Sequence, residues 1–176
     1  MTTLFNKGRL IGLAIAILIF VLDQFIKYYV TGPLGLNQLG DTKELIPFFD
    51  LTFAQNFGVS LGMFEATSTE MRWALVAVTS LIALVVFVWI MREKALGDII
   101  GLSLILGGAL GNIRDRFNLG YVVDYADLHI GTFRPFLIFN LADAAITIGV
   151  LIILARAFFL RDKDADEMAA EPATEN

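Results

Sequence analysis

The chain contains no cysteine, which removes disulfides, thiolate metal sites and cysteine nucleophiles together. It contains one histidine, His129, and no HExxH spacing. A metal centre built on histidine is therefore not expected, nor any other cofactor, and His129 reads as an ordinary loop residue. Excess positive charge is also missing. The net charge is −5, and the segment 161–176 supplies −4 of it, from six acids against Arg161 and Lys163. The rest is nearly neutral, so nothing points to a nucleic-acid partner. Rich in Ala, Glu and Asp and poor in large apolar groups, 161–176 reads as a disordered acidic tail.

What the chain has in quantity is apolar sequence gathered into blocks: 57% of its 176 residues are hydrophobic, and the mean hydropathy is +0.71. A membrane span needs about 20 mostly apolar residues. Four stretches qualify, at about 10–30, 73–91, 97–115 and 136–160. They imply a single four-span membrane domain over 1–160, with outer loops at 32–71 and 116–135. Lys7 and Arg9 before the first run imitate a signal peptide. The Ala14–Ala16 triplet lies inside the run and no small-residue site follows it, so an uncleaved first span is expected.

With the N-terminus inside, Lys7, Arg9, Arg92, Lys94, Arg156, Arg161 and Lys163 fall on the inner side. Lys27, Lys43, Arg72, Arg114, Arg116 and Arg134 fall on the outer. The bias is weak by number, and it gains weight because the inner loop 92–97 is short. Both termini are thus expected inside. Asp23 and Lys27, then Asn112, Arg114, Asp115 and Arg116, then Asn140 and Asp143 all fall at the outer ends of their spans. Asp143 stands seven residues past Phe136, hence about 10 Å into its span. The polar residues of the spans, apart from those at inner ends, therefore gather at one boundary.

The loop 32–71 is too long for a connector and too apolar for a disordered one. Leu45–Ala54 has strand composition between turn signals at Gly40-Asp41 and Asn56-Phe57-Gly58. A small curved sheet on the membrane surface is expected, its apolar residues facing lipid or forming a miniature core. Tyr121–Ile130 is strand-like as well, which places Asp124 on extended backbone or at a turn leaving it. The first two spans do not resemble the last two, which counts against an inverted-repeat transporter.

Two carboxylates sharing a site do not both ionise cheaply. One keeps a proton while the other can accept one from an attacking water. Asp124 and Asp143 are the candidates. Each also has a plain reading, Asp124 as a hydrated loop acid and Asp143 as a helix-start acid favoured by the macrodipole. A carboxylate inside a span is costly and usually functional. Asn140, three residues before Asp143, either orients that carboxylate or caps the helix. Asp23 and Lys27, four apart with acid before base, suit an ion pair that is either structural or chemical. Gly107-x-x-x-Gly111, with Gly108, is a close-packing pattern. Asn112 and Arg116 share the next face, to hold substrate carbonyls or to anchor the helix. A serine–lysine pair of Ser60 and Lys27 is disfavoured, because Ser60 sits loosely in the surface loop. Two non-proteolytic alternatives remain: an ion- or proton-coupled carrier using the same carboxylates, and a scaffold packing partners through its glycine face.

The blocks Asp23-Gln24-x-x-Lys27, Asn56-x-Gly58, Gly107-Gly108-Ala109-x-Gly111-Asn112-x-x-Asp115-Arg116, Val122-Val123-Asp124-Tyr125 and Phe139-Asn140-x-Ala142-Asp143 occur in this order. In them the chain resembles the lipoprotein signal peptidase (signal peptidase II) family of membrane aspartic proteases. The resemblance implies an all-α membrane bundle of four transmembrane helices with a small extracytoplasmic β-sheet, the β-cradle, in the first outer loop. It implies Asp124 and Asp143 as the catalytic pair, with Asn56, Gly58, Gly108, Asn112, Arg116, Asn140, Asp23 and Lys27 binding substrate or supporting the site. The implied substrates are diacylglyceryl-modified prolipoproteins cut before the lipidated cysteine, and the implied inhibitor is globomycin. The implied setting is the bacterial cytoplasmic (inner) membrane, with membrane lipids as partners, a monomeric enzyme and an active site at the outer face. The run Val59-Ser60-Leu61 departs from the alanines and large aromatic that often follow the asparagine–glycine block.

Overall fold

The computed structural model of the chain describes residues 7–58 and 69–159. Ser60, the departing run 59–61 and the acidic tail 161–176 lie outside the described residues. Among the described residues, four helices are long and apolar enough to cross a membrane: α1 (Lys7–Thr31), α2 (Thr69–Arg92), α3 (Leu96–Asn118) and α4 (Leu141–Phe159). A helix closes its backbone hydrogen bonds within itself, and an apolar medium demands this.

The helices differ in how they meet their surroundings. α2 buries only Val76, Ala83, Val86 and Ile90, one stripe at helical spacing, while Leu81, Ile82, Leu84 and Val85 are exposed. That is the pattern of a helix packed on one side and facing lipid on the others. α3 is the central element: half of its apolar window is buried, and it packs against α1, α2 and α4. Its glycines explain the close approach. A Cβ at Gly107 would stand 2.6 Å from the Ala16 backbone oxygen, and one at Gly108 would run into the Ala142 backbone oxygen. Small residues let helix backbones touch where no water is available to drive burial.

A three-stranded antiparallel sheet, β1 (Thr42–Ile46), β2 (Phe49–Asn56) and β3 (Val122–Leu128), runs in the order β1–β2–β3. It is not confined to the first loop, because β3 comes from the segment between α3 and α4. The pairing Ala54↔Asp124 lays the end of β2 beside the acid of β3. Register irregularities at Glu44/Ile46 and Leu51/Ala54 bend the sheet. Phe53, Leu36, Val123, Tyr125 and Ala126 form a core with Val30 at the end of α1. Leu45, Ile46 and Phe48 remain exposed, so only part of the loop's apolar surface enters that core.

Two helix boundaries shift where hydropathy is silent. α3 runs on to Asn118, past the expected 115, so Asp115 and Arg116 are helical. It stops where Gly120 adopts φ +91° and donates its N–H to the Arg116 carbonyl, a left-handed helix end suited to glycine. α4 begins at Leu141 and not at Phe136. The apolar stretch after Pro135 is instead extended and pinned to β3: Ala126 N–H donates to the Phe139 carbonyl at 2.7 Å, and Phe139 N–H to the Ala126 carbonyl at 3.1 Å. Asp143 therefore lies in the first turn of α4, nearer the helix end than the expected 10 Å.

The glycine contacts give a graded expectation. Gly108→Ala presses on backbone of α4, whereas Gly97→Ala meets the guanidinium end of Arg156, a long side chain that can turn aside. Thermal unfolding in detergent should show a clearly larger drop in midpoint for Gly108→Ala than for Gly97→Ala.

Candidate active site

Five segments converge at one end of the bundle: the last turns of α1 and α3, the paired strands β2 and β3, and the start of α4. They bring together Asp23, Lys27, Asn56, Gly58, Asn112, Arg116, Asp124, Asn140 and Asp143.

Asn140 is the hinge of the arrangement. Its Oδ1 accepts from the Asp143 backbone N–H at 2.9 Å, and its own N–H donates to Asp143 Oδ2 at 3.3 Å. This reciprocal pair is a capping box, with asparagine and aspartate in the two roles. A backbone N–H cannot accept a hydrogen bond, so the side-chain oxygen must face it and Nδ2 must point the other way. There Nδ2 donates to Asp124 Oδ1 at 2.6 Å. Capping and orienting, the two readings of this residue, are performed at once. Asn140 is wholly buried and touches both candidate acids.

Asp124 is 3% exposed on β3. Burial first, and the charge of Asp143 second, push its carboxyl up to about 7, against the partial relief of hydrogen bonds from Asn140 and Asn56. Asn56 shapes its own turn as well, accepting from the Gly58 N–H at 3.0 Å. The Gly58 carbonyl in turn accepts from Arg116 Nη2 at 2.5 Å. Arg116 feels the charges of Asp143, Asp124 and Asp115. Its Nε is buried and has no partner among the described residues.

Behind the acids lies an ion cluster. Lys27 Nζ sits 2.8 Å from Asp23 Oδ2 and 2.8 Å from Asp115 Oδ2, with all three side chains nearly buried. It also donates to Asn112 Oδ1 at 3.2 Å, and Asn112 Nδ2 donates to Asp143 Oδ1 at 2.8 Å. Asp23 Oδ1 accepts from the Ala142 N–H at 3.0 Å, so α1 caps α4. Gly111 makes room for this carboxylate, since a Cβ there would stand 2.5 Å from Asp23 Oδ2. Gly108 is a packing residue between α3 and α4, against Ala142 and Ile146.

Three members escape the sequence reading as site residues. Asp115 completes the cluster and was detectable, being three residues from Asn112 on a helix and so on its face. Gln24 donates to Asp115 Oδ1 at 3.0 Å and accepts from Arg114 Nη1. Tyr125 accepts the Leu141 N–H at 3.1 Å, and burial pushes its hydroxyl well above the ordinary tyrosine value. Both stand in the blocks quoted above, yet no local pattern there names their partners. His129 lies apart, its Nε2 3.1 Å from Asp50 Oδ2.

The family model described as "Signal peptidase (SPase) II" matches residues 15–159. The chain is 56% identical over 164 residues to a lipoprotein signal peptidase of Sphingopyxis alaskensis, covering 93% of this chain and 94% of the relative. It is 51% identical over 154 residues to one of Rhizorhabdus wittichii, covering 88% and 89%. Two bacterial membrane enzymes solved by the in meso method are similar in structure. One superposes with a TM-score of 0.73 at 28% identity, covering 94% of this chain and 93% of that one. The other has a TM-score of 0.72 at 30% identity, covering 84% and 92%. A peptidase family leaves the carrier reading without support. This multi-pass membrane protein is a peptidase and belongs to the signal peptidase II family.

Proposed function

We propose that the chain is an aspartyl endopeptidase that removes signal peptides from diacylglyceryl-modified prolipoproteins, cutting on the N-terminal side of the lipidated cysteine. The observation that carries this is the joining of Asp124 and Asp143 through one buried asparagine. With Asp124 pushed up to about 7 beside a second carboxylate, the pair holds one proton near neutrality. Asp143, half-buried in the first turn of α4, receives N–H donors on both oxygens and suits the ionised base. It takes a proton from water as the water oxygen attacks the peptide carbonyl carbon. Asp124 gives its proton to the carbonyl oxygen. When the tetrahedral carbon collapses, the C–N bond breaks and the nitrogen of the cysteine leaves as an amine, taking the proton held by Asp143. The hydroxyl proton of the intermediate returns to Asp124.

The surroundings suit a substrate held by lipid. An apolar cleft of about 240 Å³ lies between α2 and α3, lined in part by Leu106, Leu110 and Ile113. Apolar and open along its side, it is of a kind that can take acyl chains. Asn56, Gly58 and Arg116 stand on the β2 side, where an extended peptide can meet their polar groups. The reading takes the enzyme as monomeric and sensitive to globomycin, as the family resemblance implies. The reading places the acids at the outer face of the bacterial inner membrane, with both termini in the cytoplasm.

Asp124→Asn and Asp143→Asn each keep the shape of the side chain and remove its acid–base capacity. Each variant should purify as a folded protein with cleavage of a lipidated prolipoprotein reduced by about 100-fold or more. Wild-type turnover by either would overturn the dyad. A second expectation concerns stability. The folded-state value of Asp124 lies above its ordinary 3.8, so the native state prefers the protonated acid. The associated stability is intact below about pH 4 and is lost as pH rises through about 7. Asp124→Asn should therefore unfold at nearly the wild-type temperature at pH 4 and at a higher one than wild type at pH 8.

A further inference from the structure

Lys27 touches neither acid of the pair, yet its position determines which groups face one of them. Its ammonium has three N–H donors and no acceptor. It lies 3.2 Å from Asn112 Oδ1, and Asn140 Nδ2 approaches the same oxygen at 3.3 Å. Two obligatory donors on one side of the Asn112 carboxamide permit one orientation only: oxygen toward Lys27, nitrogen toward Asp143. The nitrogen then donates to Asp143 Oδ1 at 2.8 Å. A flipped amide would aim its oxygen at Asp143 and could be satisfied only by a protonated acid.

We propose that Lys27 is a positioning residue of the reaction: by locking the Asn112 carboxamide it keeps Asp143 in the ionised form that activates water and leaves the shared proton to Asp124. Asp23 and Asp115 flank Lys27 at 2.8 Å each and hold it on Asn112. Asp115 is itself steadied by Gln24 at 3.0 Å and by the Val123 N–H at 3.3 Å. The charged groups facing the pair are Arg116 from α3 and the cluster of Lys27, Asp23 and Asp115. Of these, only Lys27 reaches a donor of Asp143 through a single amide. The geometry also accounts for a lysine buried between two carboxylates in a span, a costly arrangement whose structural function alone could be served by apolar packing.

The inference rests on the dyad proposed above, and its test separates the two. The pH dependence of kcat and KM for a lipidated prolipoprotein is measured for wild type, Lys27→Met, Asn112→Leu and the double variant. When Lys27 is lost, the Asn112 oxygen keeps only the longer contact from Asn140 Nδ2, which is already committed to Asp124 at 2.6 Å. The amide is less firmly held, and the form that faces a protonated Asp143 gains weight. The acid limb of the kcat profile, a property of the coupled pair, should then move up by about one pH unit, with KM changed less than about twofold. Asn112→Leu should shift it in the same direction, and the double variant should add nothing further, because both act on one element. Lys27→Met/Asp115→Asn, which keeps the net charge of the cluster, replaces Lys27→Met if the latter does not fold, and the same shift is expected. A lysine variant with a lower unfolding temperature but a profile that overlays wild type would overturn the positioning role. Loss of activity in both aspartate variants with an unshifted lysine profile would leave the dyad standing and remove this inference alone.

Discussion

The first turn of α4 must find acceptors for N–H groups that have no partner within the helix, at a depth where water is scarce. An unsatisfied backbone donor in such a place costs about as much as a lost hydrogen bond. Here each donor finds a side chain. Asn140 N–H goes to Asp143, Leu141 N–H to the Tyr125 hydroxyl, Ala142 N–H to Asp23, and Asp143 N–H to Asn140. Those acceptors come from α1, β3 and α4 itself. Capping this one helix end is what draws three elements together, and the candidate acids are among the residues so gathered.

The same economy governs charge. Asp23, Asp115, Asp124 and Asp143 crowd around Lys27 and Arg116. With one proton on the group, the formal imbalance falls to a single negative charge, which a nearly dry environment tolerates far better than two. The raised value at Asp124 thus follows from burial and crowding without any specialised contact. The asparagines contribute something different. They carry no charge, yet because neighbouring groups can only donate, their amides are fixed and transmit that fixity to the carboxylates.

How far the residue string reveals this arrangement depends on the kind of force involved. The four helices were legible because a long apolar run has few alternatives, and the gathering of Asp23, Asn112 and Asp143 at one boundary followed from span direction alone. The glycines of α3 announced close packing. What stayed hidden was set by tertiary pairing. Phe136–Phe139 is as apolar as any span and became an extended segment because Ala126 offered it hydrogen bonds. The third strand was legible as a strand, but not its pairing with β2 from beyond two helices. Gln24 and Tyr125 serve through polar atoms whose partners lie about ninety and sixteen residues away, separations that no local pattern encodes.

The contact from Asp23 to Ala142 spans 119 positions and joins the first membrane helix to the last. The contacts of Lys27 with Asp23 and Asp115 lie within α1 and α3, whereas Asp143 and its cap Asn140 belong to the start of α4. On the dyad mechanism proposed above, a chain whose final helix had not docked would hold its buried ion cluster but could not yet cut.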